Sequence, residues 1–196
     1  MVERPILMQG WGVVASLEDR KKQTRRLRGL NDINEHPDYW SFTGLREGLG
    51  YTASEGKLYA GFLAGSSHSP LYARCPYGKP GDVLWVQETW RIGSWREDGR
   101  FACDYRASPD LGRRSWVRFS EDRDPDGEWF NRYWEQSTFD ARKAVALDPD
   151  EDNISVDEDG EFYWEVGRSP CRLRSGRFMP REVARLFLRV TDVRVE

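Results

Sequence analysis

The sequence predicts an α+β fold: a small, mostly antiparallel β-barrel with short flanking helices and long acidic and aromatic insertions. Three observations lead there. Short runs of β-branched, aromatic and aliphatic residues recur between irregular connections, and helical periodicity is scarce. One run, Val83 to Thr89, is a strand of strong β propensity behind a rigid turn series, Pro76 to Asp82. The composition is polar, with 32% charged and 38% hydrophobic residues, but nine Trp, nine Phe and eight Tyr supply the area a core needs. At 196 residues the chain suits a single domain over 1–196, with irregular insertions at about 29–74 and 107–160.

The elements follow in order. Pro5 to Met8 reads as a short strand, and Val13, Val14 and Leu17 share one face of a short helix ending at Glu18 and Asp19. Thr24 to Leu27 reads as a strand. Residues 29–74 carry turn chemistry at Asn31, Asp32, Asn34 and His36 to Asp38, then an aromatic knot of Tyr39, Trp40 and Phe42. In the strand from Val83, alternation places Leu84, Val86 and Glu88 on one face, so a carboxylate ends an aliphatic row, where it is either paired or functional. Phe101 to Arg106 and Trp116 to Phe119 are further strands, and Trp129 to Trp134 opens a short helix. Glu161 to Val166 reads as a strand or a hairpin arm. From Ala184 to Val190, Leu186, Leu188 and Val190 face inward and Arg185 and Arg189 outward. The apolar phase then slips to Val193 and Val195, which calls for a bulge or bend near Thr191 and Asp192.

Several functional classes drop out. Cys75, Cys103 and Cys171 are odd in number and widely spaced, and His36 and His68 are remote from them in sequence, so neither a disulfide framework nor a metal site is expected. Asp148, Asp150 and Asp152 resemble the start of a calcium loop, but Asn153 stands where the turn glycine belongs and no glutamate closes the loop. No cofactor is expected. No apolar stretch reaches membrane-span length, so a cytoplasmic location and no membrane partner are expected.

Charge is unevenly distributed. Residues 20–28 hold six cations among nine positions in a chain of net charge −3. Such density repels itself unless an anion or the chain's own carboxylates offset it, and phosphate is the commonest external anion to do so. A second basic concentration holds Arg172, Arg174, Arg177 and Arg181, with Phe178, Met179 and Pro180 among them. Residues 121–128 and 148–161 are acidic, the latter with eight acidic residues and no basic one.

Three segments together resemble a known family. They are Ile6 to Arg26, Cys75 to Trp90 with its Pro-Tyr-Gly-Lys-Pro-Gly-Asp-Val-Leu-Trp-Val-Gln-Glu-Thr-Trp, and Phe178 to Glu196 with Phe-Met-Pro-Arg-Glu followed by Val-Thr-Asp-Val-Arg-Val-Glu. The chain is similar to the phage and prophage branch of the ASCH-domain proteins, within the PUA-like superfamily. The resemblance implies a small β-barrel and a cleft for RNA or modified nucleobases. Small bacterial ASCH proteins include amidohydrolases that deacetylate N4-acetylcytidine through a Gly-Arg-Lys-Thr-x-Thr-x-Arg type motif with a catalytic lysine and threonine and an assisting glutamate. Arg20, Lys21, Thr24 and Arg26 match that motif, while Asp19 replaces its glycine and Lys22 its first threonine. Glu88 is nominated for the glutamate from strand geometry alone.

Three functions follow. In the first, a basic cleft recognises RNA, a modified nucleoside or DNA: Arg20, Lys22, Arg25, Arg26, Arg177 and Arg181 hold phosphate, and Trp90 or Phe178 stacks on an unpaired base. In the second, an amidohydrolase acts on acylated cytidine: Thr24 attacks, Lys21 accepts the proton and Glu88 serves the leaving amine. In the third, a phage-encoded inhibitor engages a host protein through its acidic segments.

Overall fold

Small, mostly antiparallel sheets and helices make up a mixed α+β structure, a computed structural model describing residues 1–25, 30–48, 57–65, 67–96, 98–107, 116–148, 153–160, 162–164 and 167–195. In chain order the elements are β1 (Glu3–Leu7), α1 (Gly10–Leu17), α2 (Asn31–Glu35), β2 (Trp40–Glu47), β3 (Leu58–Ala64), β4 (Leu71–Arg74), β5 (Val83–Gln87) and β6 (Trp90–Trp95). There follow β7 (Phe101–Tyr105), β8 (Trp116–Val117), α3 (Glu128–Leu147), β9 (Ile154–Val156), β10 (Phe162–Trp164) and β11 (Phe187–Arg189). The sheets run β1-β5-β11, β2-β3-β4, β6-β7-β8 and β10-β9. The chain divides into two compact units: unit 1 is Met1–Ile6, Lys21–Trp85 and Phe187–Glu196, and unit 2 is Leu7–Arg20 and Val86–Leu186.

In unit 1, β3 is the central strand of β2-β3-β4, flanked antiparallel on both sides. Five of its seven residues are buried, so Leu-Tyr-Ala-Gly-Phe-Leu-Ala shows no inside-outside alternation. That pattern concealed the strand in 29–74, a stretch expected to be irregular whose described residues hold α2, a 3-10 turn at Pro37–Tyr39 and three strands. Ala60, Phe62 and Ala73 form the core, packed by Leu30, Ile33, Trp40 and Val195. A bulge between Phe42 and Gly44 shifts the register, and Gly44 takes φ 116°, a conformation that glycine alone adopts readily. Phe187 pairs with Trp85 and Arg189 with Val83. After β11 the half-buried positions pass from Leu188 and Val190 to Val193 and Val195, the predicted slip at Thr191 and Asp192. Thr24 and Arg25 have no regular secondary structure, and Arg26 and Leu27, the rest of that predicted strand, lie outside the described residues.

Unit 2 is organised around β6-β7-β8 and the long helix α3. Its core contains Trp90, Ile92, Phe101, Cys103, Tyr105, Val117, Phe119, Cys171, Met179 and Val183, with Trp95, Phe130, Tyr133 and Trp164 packed against it. The predicted short helix from Trp129 runs for 20 residues. Its inward positions, Phe130, Tyr133, Trp134, Ser137, Asp140 and Ala141, follow helical spacing, but two are polar, and this hides the period in the sequence. Ser137 is satisfied by the Tyr133 carbonyl at 2.7 Å and Asp140 by the Arg172 N–H at 3.2 Å. Asp124 caps the start, accepting from the N–H groups of Trp129 and Phe130 at 2.9 and 3.0 Å. The expected hairpin arm near Glu161 is β10, antiparallel to β9.

Among the described residues no group of three or more His, Cys, Asp or Glu is placed to hold a metal ion, and no helix is long and apolar enough to cross a membrane. Cys103 and Cys171 are buried free thiols, and burial raises the pKa of both, far above the ordinary range for Cys103.

Candidate functional site

One face of α3 and the strand-like segment after Cys171 enclose a cleft in unit 2 of about 690 Å³. From α3 come Trp129, Arg132, Tyr133 and Gln136, which recur at helical spacing and therefore share a face. From the other wall come Arg172 to Ser175 and Arg177 to Pro180. This wall is fixed by an antiparallel bridge between Arg174 and Trp90, with N–H to carbonyl distances of 2.7 and 3.1 Å. Four arginines line the cleft, and no Asp or Glu stands among its lining residues.

Arg174 is the innermost of these cations. Its Nη1 donates to Gln136 Oε1 at 2.7 Å, and the guanidinium carbon lies 5.3 Å from the Tyr133 ring centre and 5.9 Å from that of Trp90. Its Nε and Nη2 are shielded from solvent and have no hydrogen-bond partner. Burial lowers its pKa, opposed chiefly by the nearby Asp140 carboxylate. An unsatisfied buried donor costs roughly 1–3 kcal/mol, and more on a charged group. The Nε–Nη2 edge is the fork with which guanidinium grips two oxygens of a carboxylate or phosphate.

The outer edge of the same wall is set by a turn over Glu88. A Cβ on Gly176 would stand 2.8–2.9 Å from the N, C and O atoms of Glu88, so only glycine fits between these backbones. Gln87 Nε2 donates to the carbonyls of Arg177 and Met179 at 3.5 and 3.4 Å. Ser175 Oγ accepts from the Arg177 N–H at 3.3 Å. These contacts bury Met179 and turn Phe178 outward, leaving it 75% exposed beside the exposed Arg177. Trp129 is also partly exposed, its ring edge-on to Phe119 at 5.8 Å.

The sequence-predicted residues distribute as follows. Arg177 and Phe178 line the cleft together. Glu88 is buried in unit 2, and both its carboxylate oxygens are held by Arg185, Nε at 2.8 Å and Nη2 at 2.9 Å. Arg185 was expected to face outward; it turns inward because Glu88 needs a counter-charge, and it lies over the Tyr105 ring at 4.2 Å. Trp90 was expected to stack on a base. It has no exposed surface and packs edge-on to Tyr133 at 5.6 Å, so its ring belongs to the core and is out of a ligand's reach.

Arg20, in unit 2, pairs with Glu18 through Nε at 2.7 Å. Lys21, Lys22, Thr24 and Arg25 lie in unit 1, with Lys21 and Thr24 half-buried and Lys22 and Arg25 exposed. Lys21, Lys22 and Arg25 each interact with other groups of the protein. Arg26 lies outside the described residues. Arg181, in a short 3-10 turn of unit 2, is half-buried and engaged within the protein.

Sequence reasoning missed Trp129, Arg132 and Gln136 as site residues. Their signal was the i, i+3, i+7 spacing, legible only once α3 is known to continue past Trp134. Comparison of the chain with protein-family models, with curated proteins and with solved structures found no match.

Proposed function

We propose that this protein binds single-stranded nucleic acid, RNA foremost, through the arginine cleft of unit 2. The observation that carries the reading is Arg174, whose Nε–Nη2 fork has no hydrogen-bond partner and which lines the cleft together with Arg132, Arg172 and Arg177. A fork without an acceptor among like charges is stabilised by an oxyanion, and phosphate fits its geometry. The exposed ring of Phe178 and the partly exposed ring of Trp129 supply what a phosphate site for unpaired nucleotides adds, a surface for the base to stack on. The resemblance to PUA-like ASCH domains supports RNA over DNA. On this reading the small, mostly antiparallel sheets are parts of a PUA-like barrel.

The test is fluorescence anisotropy with labelled single-stranded RNA, single-stranded DNA and duplex, over a salt series. Single-stranded RNA is expected to bind best, with log K falling against log salt by about 0.7 per phosphate contacted. Arg177→Ala should weaken binding and flatten the slope by about one contact. Absent or salt-independent binding to every nucleic acid would remove this reading and turn attention to a protein partner.

A further inference from the structure

The charge crowded into the cleft is out of proportion to an ordinary stretch of nucleic acid. We infer that the cleft recognises clustered phosphates, the 5′-polyphosphate of a nucleotide; this rests on the nucleic-acid reading and narrows its ligand. A chain of phosphodiesters carries one negative charge per nucleotide, so matching four guanidiniums takes about four nucleotides. A cleft of about 690 Å³ lies within the size range that seats one small-molecule ligand. A 5′-triphosphate instead places comparable negative charge on a single nucleotide.

The arrangement of donors agrees with this. Arg174 and Arg185 are two arginines of the same unit with the same fork. On Arg185 the fork is filled by Glu88, whereas on Arg174 it has no acceptor and Gln136 occupies only the third nitrogen. Among the described residues no ion pair holds Arg132, Arg172 or Arg177. The innermost phosphate takes the Arg174 fork, moving aside the groups that shield it. The outer phosphates take Arg172 and Arg177, and the base reaches the exposed ring of Phe178. The same chemistry is offered by a free nucleoside triphosphate and by the 5′ end of an unprocessed RNA.

The experiment uses the full chain and one RNA sequence carrying a 5′-hydroxyl, 5′-monophosphate or 5′-triphosphate, in chelator-containing buffer. The dissociation constant is expected to fall about tenfold or more from hydroxyl to triphosphate. Arg174→Lys keeps the charge and loses the fork, and should remove most of that gain. Arg177→Ala, at an exposed position, should reduce it in a chain whose fold is untouched. Competition by guanosine triphosphate against guanosine monophosphate separates the sources: strong competition by the free triphosphate assigns a nucleotide ligand, and competition by triphosphorylated RNA alone assigns a strand end. Equal affinity for the three RNAs overturns this inference and leaves nucleic-acid binding standing. No binding of any RNA or nucleotide overturns both.

Discussion

Arg185 and Glu88 form a two-pronged ion pair in unit 2, with both partners withdrawn from water: the Glu88 side chain is 2% exposed and that of Arg185 9%. The Glu88 backbone sits directly under the turn at Gly176 that presents Arg177 and Phe178. Glu88, nominated from the sequence for proton transfer, thus has a fold-holding partner on each of its oxygens. Removing one member leaves the other as a buried, uncompensated charge. Glu88→Ala and Arg185→Ala should each destabilise the protein by about 3–5 kcal/mol in urea unfolding. The double variant should lose clearly less than the sum, and simple additivity would show the pair to be uncoupled.

Gly176→Ala tests the same turn from the other side. The added methyl meets backbone rather than a side chain that can swing away, so the turn must lift off Glu88. A loss of about 1–3 kcal/mol in stability is expected, together with weaker RNA binding because Arg177 and Phe178 move with the turn. Wild-type stability and binding would mean that the close approach has no consequence.

Phe178→Ala separates stability from recognition. The ring is 75% exposed, so thermal unfolding should change by no more than about 0.5 kcal/mol. Loss of a stacking platform should weaken single-stranded RNA binding by roughly 1–3 kcal/mol and leave its salt slope unchanged. Unaltered affinity would remove Phe178 from the interface.

On the proposed reading, binding without reaction, N4-acetylcytidine stays intact. Chromatography after prolonged incubation should therefore show no cytidine. Cytidine release that disappears in Lys21→Ala and Thr24→Ala would transfer the function to an amidohydrolase built on those two residues.

Asp82 governs an acid-sensitive corner of unit 1. Burial pushes its carboxyl pKa up, but the N–H groups of Val2 and Lys79, at 3.0 and 3.2 Å, with the charges of Arg4 and the terminal amine, hold it below the usual range on balance. A lowered pKa in the folded state contributes stability that is present above the unfolded value of about 3.9 and is lost as pH falls through the folded value. Asp82→Asn should therefore be less stable than wild type at pH 7, by roughly 1–3 kcal/mol. The two should converge as pH drops below about 3.9, and a constant gap down to pH 2 would contradict the assignment.

Local geometry was legible in the sequence wherever alternation or turn chemistry was strong. The sequence placed β5 and the buried row Leu84, Val86 and Glu88, the strand β7, the first helix, the arm that is β10 and the slip at Thr191 and Asp192, but not β9, Ile154–Val156, which lies in the acidic stretch. It also singled out the basic segment carrying Arg172, Arg174 and Arg177, because charge density is visible without a fold. It hid β3, buried on both faces, and α3, whose inward stripe carries Ser137 and Asp140. Only tertiary structure decided which polar groups found partners. Arg185 follows Ala184 and Arg174 follows Leu173, yet one meets Glu88, 97 residues away in the chain, and the other meets no acceptor for its fork. Burial and pairing depend on what distant segments bring to the same place, and no local pattern encodes that.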